Sequence, residues 1–436
     1  MSVIRPLCEL AGEGEFLAYL EQVGADLPFD AHVERGPSAP LSRPVDFSGV
    51  TAGNRFCVLP LEGWDADLEG RPTASTRERW RRMGAGGAKL IWAESAAVRP
   101  DGRSTPAQLL VADDTVSDLA SLRDSAVKEH ERIHGEVTDL VVGLQLTHSG
   151  RMSHPAPSGT AAPVAVRRHP HMDNTVGPSP DQPLITDDQL YALADDFVHA
   201  AVNAHDAGFD FVDLKACHGY LGHELLGAYE RDGEFGGTLE NRTRFLRTII
   251  AGVRSLRPEL TLALRLSAFD TVTHIRDADG LGRPITTGPH RYWFGTDESG
   301  HEVDLAEPIE LLSILRDLEV CLVSVTGSSP YCARHFQRPS RRLDANDYEP
   351  PEDPLVGVAR HIRVTAELKA AVPEIVYVGS AYSYLQQWLP NVAQAAVRLG
   401  MTDLVGLGRM HLAYPTIPMD IIDGRPLRTD LIEPAF

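Results

Sequence analysis

A chain of 436 residues, 43% hydrophobic and 23% charged, is long enough for one elaborated α/β domain, since barrels with insertions reach this size as a single unit. Its formal net charge of -20, without any sustained basic run, argues against nucleic acid and anionic membrane surfaces as partners. Five cysteines (Cys8, Cys57, Cys217, Cys321, Cys332) are odd in number and lack CxxC spacing, so neither a disulfide framework nor a metal or iron–sulfur site is expected. No apolar stretch reaches the length of a membrane span, and acidic residues interrupt the N-terminal segment where an export signal needs an apolar core. A cytoplasmic protein is the expectation.

In chain order, residues 1–50 read as an N-terminal extension, with a helix over 16–23 and a Pro-rich connector over 37–44, ahead of a barrel domain over 51–436. Short apolar runs ending in polar or Gly positions follow at 56–60, 89–93, 140–146, 211–215, 262–266, 321–325, 375–378 and 404–407, as expected of parallel strands buried on both faces. Helices are expected near 75–84, 115–134, 186–204, 240–255, 307–317, 355–371 and 384–399. The third of these starts on a capping-box pattern, Thr186 with Gln189, and carries one apolar stripe through Leu190, Leu193, Phe197, Ala200 and Ala204. This alternation predicts an α/β fold of the (β/α)8 TIM-barrel type, with a doubly wound sheet as the alternative. Segments 151–185 and 271–305, after the third and fifth strands, exceed ordinary loop length and read as lids.

The stretch 209–244 carries the chemistry. An apolar strand ends in Lys215, His218 and Tyr220 and is followed by a Gly-rich loop that opens a helix, which is how a barrel presents reactive groups at its mouth. Only four of the 41 Lys and Arg residues are lysines, so a lysine at this strand end is conspicuous. Cys217 alternates away from Lys215 and His218 and is expected to pack. The histidines His148, His154, His169 and His171 lack a patterned carboxylate partner and read as surface or lid residues, so no metal site is expected.

The runs QLTHSGR (145–151), DLKACHGYLGHELL (213–226), GEFGGTLENRTRF (233–245), LALRLS (262–267) and DLVGLGR (403–409) resemble the old yellow enzyme family of FMN-dependent ene-reductases, over about 54–415. Within it the chain looks most like the dienoyl-CoA reductase branch, but it ends at Phe436 without a cysteine cluster, so that branch's iron–sulfur and nucleotide-binding extension is not expected. The resemblance implies FMN as cofactor, NADH or NADPH as reductant, a small-molecule acceptor, and barrels that often pair as homo-oligomers. It places Gln145 and Arg265 at the flavin's N1 and O2, where charge accumulates on reduction. Pro60, Leu61 and Glu62 fall under the N5 and O4 edge, and Ser95 beside them. Gly379, Ser380, Gly408 and Arg409 fall on the loops after strands 7 and 8, where TIM barrels bind phosphate.

In the family, a His and a second His or Asn polarise the substrate carbonyl and a Tyr supplies a proton; Lys215, His218 and Tyr220 occupy these positions. Lys215 departs from the pattern, and so does Glu62, where the family has Thr or Cys. A glutamate beside a ring that gains negative charge calls for an offset, so Glu62 and Lys215 are expected to be coupled. The competing readings are a structural ion pair for Lys215 and a contact between Glu62 and a loop arginine. The implied activity is hydride transfer from NAD(P)H through FMN to an activated C=C bond of an enone or enoyl thioester. The alternatives are an oxidative flavoenzyme on the same barrel and a non-catalytic flavin-binding sensor.

Overall fold

Eight short parallel strands form a closed ring: β1 (Phe56–Val58), β2 (Leu90–Ile91), β3 (Val141–Thr147), β4 (Phe211–Ala216), β5 (Thr261–Ser267), β6 (Leu322–Thr326), β7 (Val376–Gly379) and β8 (Leu404–Leu407). Val405 of β8 pairs with Phe56 of β1, and Leu90 of β2 with Val141 of β3, so no edge is left unpaired. This is a TIM barrel, seen in a computed structural model that describes residues 4–169, 171–174, 177–285, 291–341 and 347–432. All eight expected strands are present. Nearly every strand residue is buried, as a sheet covered on both faces requires.

Helices α1 (Ala74–Ala85), α2 (Val116–His134), α3 (Asp187–Asp206), α4 (Arg244–Leu256), α5 (Ala306–Asp317), α6 (Pro354–Ala371) and α7 (Leu389–Arg398) alternate with the strands. Two short helices, Arg409–Ala413 and Ile417–Asp423, take the eighth position. The capping box at α3 forms as expected: the Gln189 N–H donates to Thr186 Oγ1 at 3.2 Å, and the Thr186 N–H to Gln189 Oε1 at 2.9 Å. The helix expected over 384–399 is broken instead. A 3₁₀ segment, Tyr382–Trp388, kinks at Gln386 (φ 51°), and α7 starts only at Leu389 because Pro390 is accepted in a first turn and not in a helix interior.

The N-terminal residues close the barrel from below. An antiparallel hairpin, Val45–Phe47 with Val50–Ala52, packs Val45, Phe47 and Ala52 against the first residues of the strands, among them Leu90, Val141, Phe211, Leu322 and Leu404. The preceding helix, Glu13–Val23, stacks Phe16 on Trp388 with ring centroids 4.7 Å apart. No described helix is long and apolar enough to cross a membrane. With the N-terminal end plugged, chemistry is left to the opposite face.

Packing inside the ring is tight at Gly143, where a Cβ would come within 2.2 Å of the Phe211 ring. Gly143→Ala should therefore cost about 1–3 kcal/mol by overpacking. In urea titrations, the Gly143→Ala, Phe211→Leu double variant should lose less than the sum of the two single changes, because the shorter side chain makes room for the methyl group.

Candidate active site

A cavity of about 400 Å³ opens at the C-terminal ends of the strands. Pro60, Leu61, Glu62, Ser95, Gln145, Lys215, His218, Tyr220, Arg265, Ser380, Gly408 and Arg409 all line it, so residues from seven barrel segments spread over 350 positions converge on one space. Gly379 does not reach the lining; its N–H is bonded to Thr402 Oγ1 at 3.1 Å. Segments 151–185 and 271–305 contribute no described residue either, which corrects their reading as lids. They pack on each other: Tyr292 stacks on His169 with centroids 4.8 Å apart and lies under Arg167, and His148 and His169 are buried rather than on the surface. The rim comes from the loop after β6, through Pro330, Tyr331, Gln337, Arg338 and Pro339.

Strand register brings two cations together. Lys215 of β4 is paired directly with Arg265 of β5, both inside the barrel mouth. Two buried carboxylates offset them. The Lys215 Nζ donates to Glu62 Oε1 at 2.8 Å and to Ser95 Oγ at 3.3 Å, and sits 3.8 Å from the centroid of the Tyr220 ring. Glu62 Oε2 accepts from Ser104 Oγ at 2.7 Å, Trp64 Nε1 at 3.0 Å and the Tyr220 hydroxyl at 3.1 Å. Burial opposes ionisation of Glu62, but the Lys215 charge and these hydrogen bonds outweigh it and hold the carboxyl below the usual range. Glu62 is aimed by its neighbour: the Gly63 N–H is anchored on Glu94 Oε1 at 3.0 Å, and Glu94 is itself held by Arg79 and Trp80.

The second carboxylate, Asp213, is fully buried beneath the cavity. Its Oδ2 accepts from Gln145 Nε2 at 2.5 Å and Trp92 Nε1 at 2.8 Å, and its Oδ1 from the Arg265 N–H at 2.6 Å. Burial outweighs these bonds and raises its pKa. The Arg265 Nη1 donates to the Pro60 carbonyl at 3.0 Å, while its Nε is buried with no partner among the described residues. Thus Asp213 holds the Gln145 side chain and the Arg265 backbone, and the Pro60 carbonyl holds the Arg265 side chain.

After β4 the chain turns sharply through His218 (φ 63°) and Gly219 (φ 79°). At Gly219 this backbone suits glycine, and a Cβ would also meet Ser329 Oγ at 2.5 Å. The turn lets Tyr220 cap the short helix Leu221–Leu226, with Gly222 close enough to the Lys215 carbonyl that a Cβ would fall 2.5 Å from it. Burial and the charges of Arg265 and Lys215 hold the His218 imidazole well below its usual pKa, so it is neutral at pH 7. Burial and the Glu62 carboxylate push the Tyr220 phenol well above its usual value, so it keeps its proton.

Asp213, Ser104, Trp64 and Gln337 were not singled out from sequence. For Asp213 a signal existed, since it lies two residues before Lys215 and strand alternation puts both on one face. The others arrive on loops and carry no such periodicity.

Breaking the buried pair on one side leaves an uncompensated charge. Lys215→Met should cost about 3–5 kcal/mol at neutral pH, and Glu62→Gln combined with it should recover part of that loss. In the single variant the Lys215 charge is gone and only the hydrogen bonds from Ser104, Trp64 and Tyr220 still oppose the burial of Glu62, so its pKa is expected to rise above that of an unfolded glutamate. A raised folded pKa contributes stability that is lost as pH rises through it. The stability deficit should therefore grow with pH in denaturant titrations and shrink in acid.

The chain matches the model of the NADH:flavin oxidoreductase / NADH oxidase family over residues 40–282, more than half its length. It is 32% identical over 249 residues to an NADPH dehydrogenase of Bacillus pumilus, covering 56% of this chain and 68% of the relative. It is 30% identical over 247 residues to an NADPH dehydrogenase of Bacillus subtilis, covering 56% and 68%. Among solved structures, an old yellow enzyme homologue from Zymomonas mobilis superposes with a TM-score of 0.62 at 23% identity, covering 90% of this chain and 95% of that one. A 2-naphthoyl-CoA reductase superposes with a TM-score of 0.63 at 21% identity, covering 89% of this chain but 52% of that longer one. The two solved structures share the barrel; the family match and the sequence identity to the dehydrogenases place the chain in the NADH:flavin oxidoreductase family, the old yellow enzyme family of NAD(P)H-dependent flavin enzymes.

Proposed function

We propose that this chain holds FMN in the cavity at the barrel mouth and reduces an activated C=C bond of an enone or enoyl thioester with reducing equivalents from NADH or NADPH. One observation carries the reading: three proton- and hydrogen-bond-donating groups, Lys215, His218 and Tyr220, share a 400 Å³ cavity with Gln145 and Arg265. The residues fit the cofactor. The cavity is of the size that holds such ligands. Among the described residues the Arg265 Nε lacks a partner and a Cβ on Gly408 would meet nothing within 4 Å, so space lies open beside the Arg409 loop. Gln145 and Arg265 would face the pyrimidine edge, Pro60, Leu61, Glu62 and Ser95 the opposite edge, and Ser380, Gly408 and Arg409 the phosphate. When bound, FMN supplies hydride transfer.

The protein's own groups do the rest. His218 and Lys215 donate to the acceptor carbonyl and draw charge onto its oxygen. Glu62, as carboxylate, is the counter-ion of the Lys215 ammonium. Tyr220 turns its hydroxyl from Glu62 Oε2 toward the alpha carbon and protonates it. The phenolate left behind faces the Lys215 ammonium across its own ring. A second reading, substrate oxidation on the same barrel, is favoured by one observation: the Tyr220 hydroxyl already donates to Glu62, the direction in which a proton taken from substrate would leave.

Purified protein should be yellow, bleach anaerobically with NADH or NADPH, and recolour on adding an enone or enoyl thioester. Bleaching by an amine or other reduced substrate, with no recolouring by any unsaturated acceptor, would select the oxidative reading. Arg409→Ala should lower flavin content per polypeptide, because a charge-assisted phosphate contact is removed. A full complement of flavin in that variant would show that the phosphate is held elsewhere. Tyr220→Phe should slow flavin reoxidation by the acceptor by about 10²- to 10⁴-fold and affect flavin reduction far less, as measured by stopped-flow absorbance.

A further inference from the structure

We propose that Gln337, on the loop after β6, selects the Nδ1–H tautomer of His218 and thereby makes Nδ1 the nitrogen that donates into the cavity. The inference deepens the proposed reading of His218 as a carbonyl donor and rests on it for its catalytic consequence.

The observations are geometric. His218 Nε2 lies 3.2 Å from Gln337 Nε2 and 3.5 Å from Thr326 Oγ1. With its nitrogen turned to the ring, as here, the amide donates, so Nε2 accepts and a neutral imidazole carries its single proton on Nδ1. Among the described residues His218 Nδ1 has no hydrogen-bond partner, and His218 lines the cavity. The ring is held in place at its backbone, with the His218 N–H donating to Ser267 Oγ at 3.1 Å and its carbonyl accepting from Ser329 Oγ at 3.3 Å.

The backbone that carries Gln337 is held. This residue ends the short helix Arg334–Gln337, and the preceding carbonyl, of Phe336, accepts from His361 Nε2 at 2.8 Å. That commits the proton of the neutral His361 to Nε2, so His361 Nδ1 accepts from Ser380 Oγ at 3.2 Å. These contacts tie the loop after β7 to the backbone of the segment that carries Gln337. The charged and titratable groups that bear on His218 are Lys215 on its own strand, Arg265 on β5, His223 on the helix that follows, and His361 on α6. Glu62, Tyr220 and Tyr331 line the same cavity, but among the described residues no carboxylate lies within hydrogen-bond reach of Nε2 to draw the ring proton there.

Replacing the donor by an acceptor should reverse the tautomer. In Gln337→Glu the carboxylate would accept from Nε2–H, stripping Nδ1 of its proton, and would also raise the imidazole pKa. Below that raised pKa both nitrogens are protonated and Nδ1–H returns. Nitrogen-15 NMR of histidine-labelled holoenzyme, with His218→Asn to assign the signal, should show Nδ1 protonated in the wild-type protein and Nε2 protonated in Gln337→Glu at high pH. The acceptor half-reaction of Gln337→Glu should be slowed about tenfold at high pH and recover as pH falls, a limb absent from the wild-type profile. Nε2 protonation in the wild-type protein, or an unchanged tautomer in Gln337→Glu, overturns the proposal. If the tautomer switches as described but the acceptor half-reaction does not respond, the tautomer assignment stands and it is the role of His218 at the carbonyl that fails.

Discussion

The barrel mouth is organised around a charge balance that strand pairing imposes. β4 and β5 place Lys215 beside Arg265 with no freedom to separate, and two like charges in a nearly dry space would be untenable alone. Glu62 from β1 and Asp213 from β4 supply the offset, one above the cavity floor and one below it. Glu62 is bonded to Lys215 and Asp213 to the Arg265 backbone, so each cation has a carboxyl group beside it. The pair Glu62–Lys215 is no evidence of added stability by itself, since desolvation of both ions is costly; its effect is to hold a cation and a carboxylate at set positions.

That balance also explains how two departures from the family pattern coexist. A glutamate alone on β1 would add negative charge where a bound flavin gains it on reduction, and a lysine alone on β4 would add an unbalanced cation. Together they are neutral, and both touch the proposed proton donor: Glu62 accepts from the Tyr220 hydroxyl and the Lys215 Nζ lies over the Tyr220 ring. The remaining polar groups are oriented from behind: Asp213 fixes Gln145 and the Arg265 backbone, Glu94 fixes the turn bearing Glu62, and Gln337 faces His218. Around this set the protein is asymmetric. The N-terminal hairpin seals the barrel at the strand starts, and the loop after β6 shapes the open rim.

What the sequence by itself determined is the frame. Eight apolar runs of strand length, separated by helical periodicity, allow few arrangements other than a barrel, because parallel strands buried on both faces read as continuous apolar runs. The end of β4 followed from the frame, since an apolar strand running into Lys215, His218 and Tyr220 marks the mouth of a TIM barrel, whereas Gln145, Arg265 and Glu62 were placed there by the family resemblance. The coupling of Glu62 to Lys215 was legible only through the family resemblance, in which both positions depart from the pattern, since β1 and β4 lie three strands apart in the ring.

Tertiary structure alone decided which loops reach the cavity. Segments 151–185 and 271–305 have the length and aromatic content of lids, yet Tyr292, His169 and Arg167 pack on one another, while the less conspicuous loop after β6 supplies Tyr331 and Gln337. The break before α7 and the recruitment of Ser104 and Trp64 to Glu62 were likewise decided by packing. The reason is physical. Strand ends are positioned by a repeating hydrogen-bond ladder whose period is written into local sequence, whereas a loop's course depends on contacts between residues far apart in the chain, which no local pattern records.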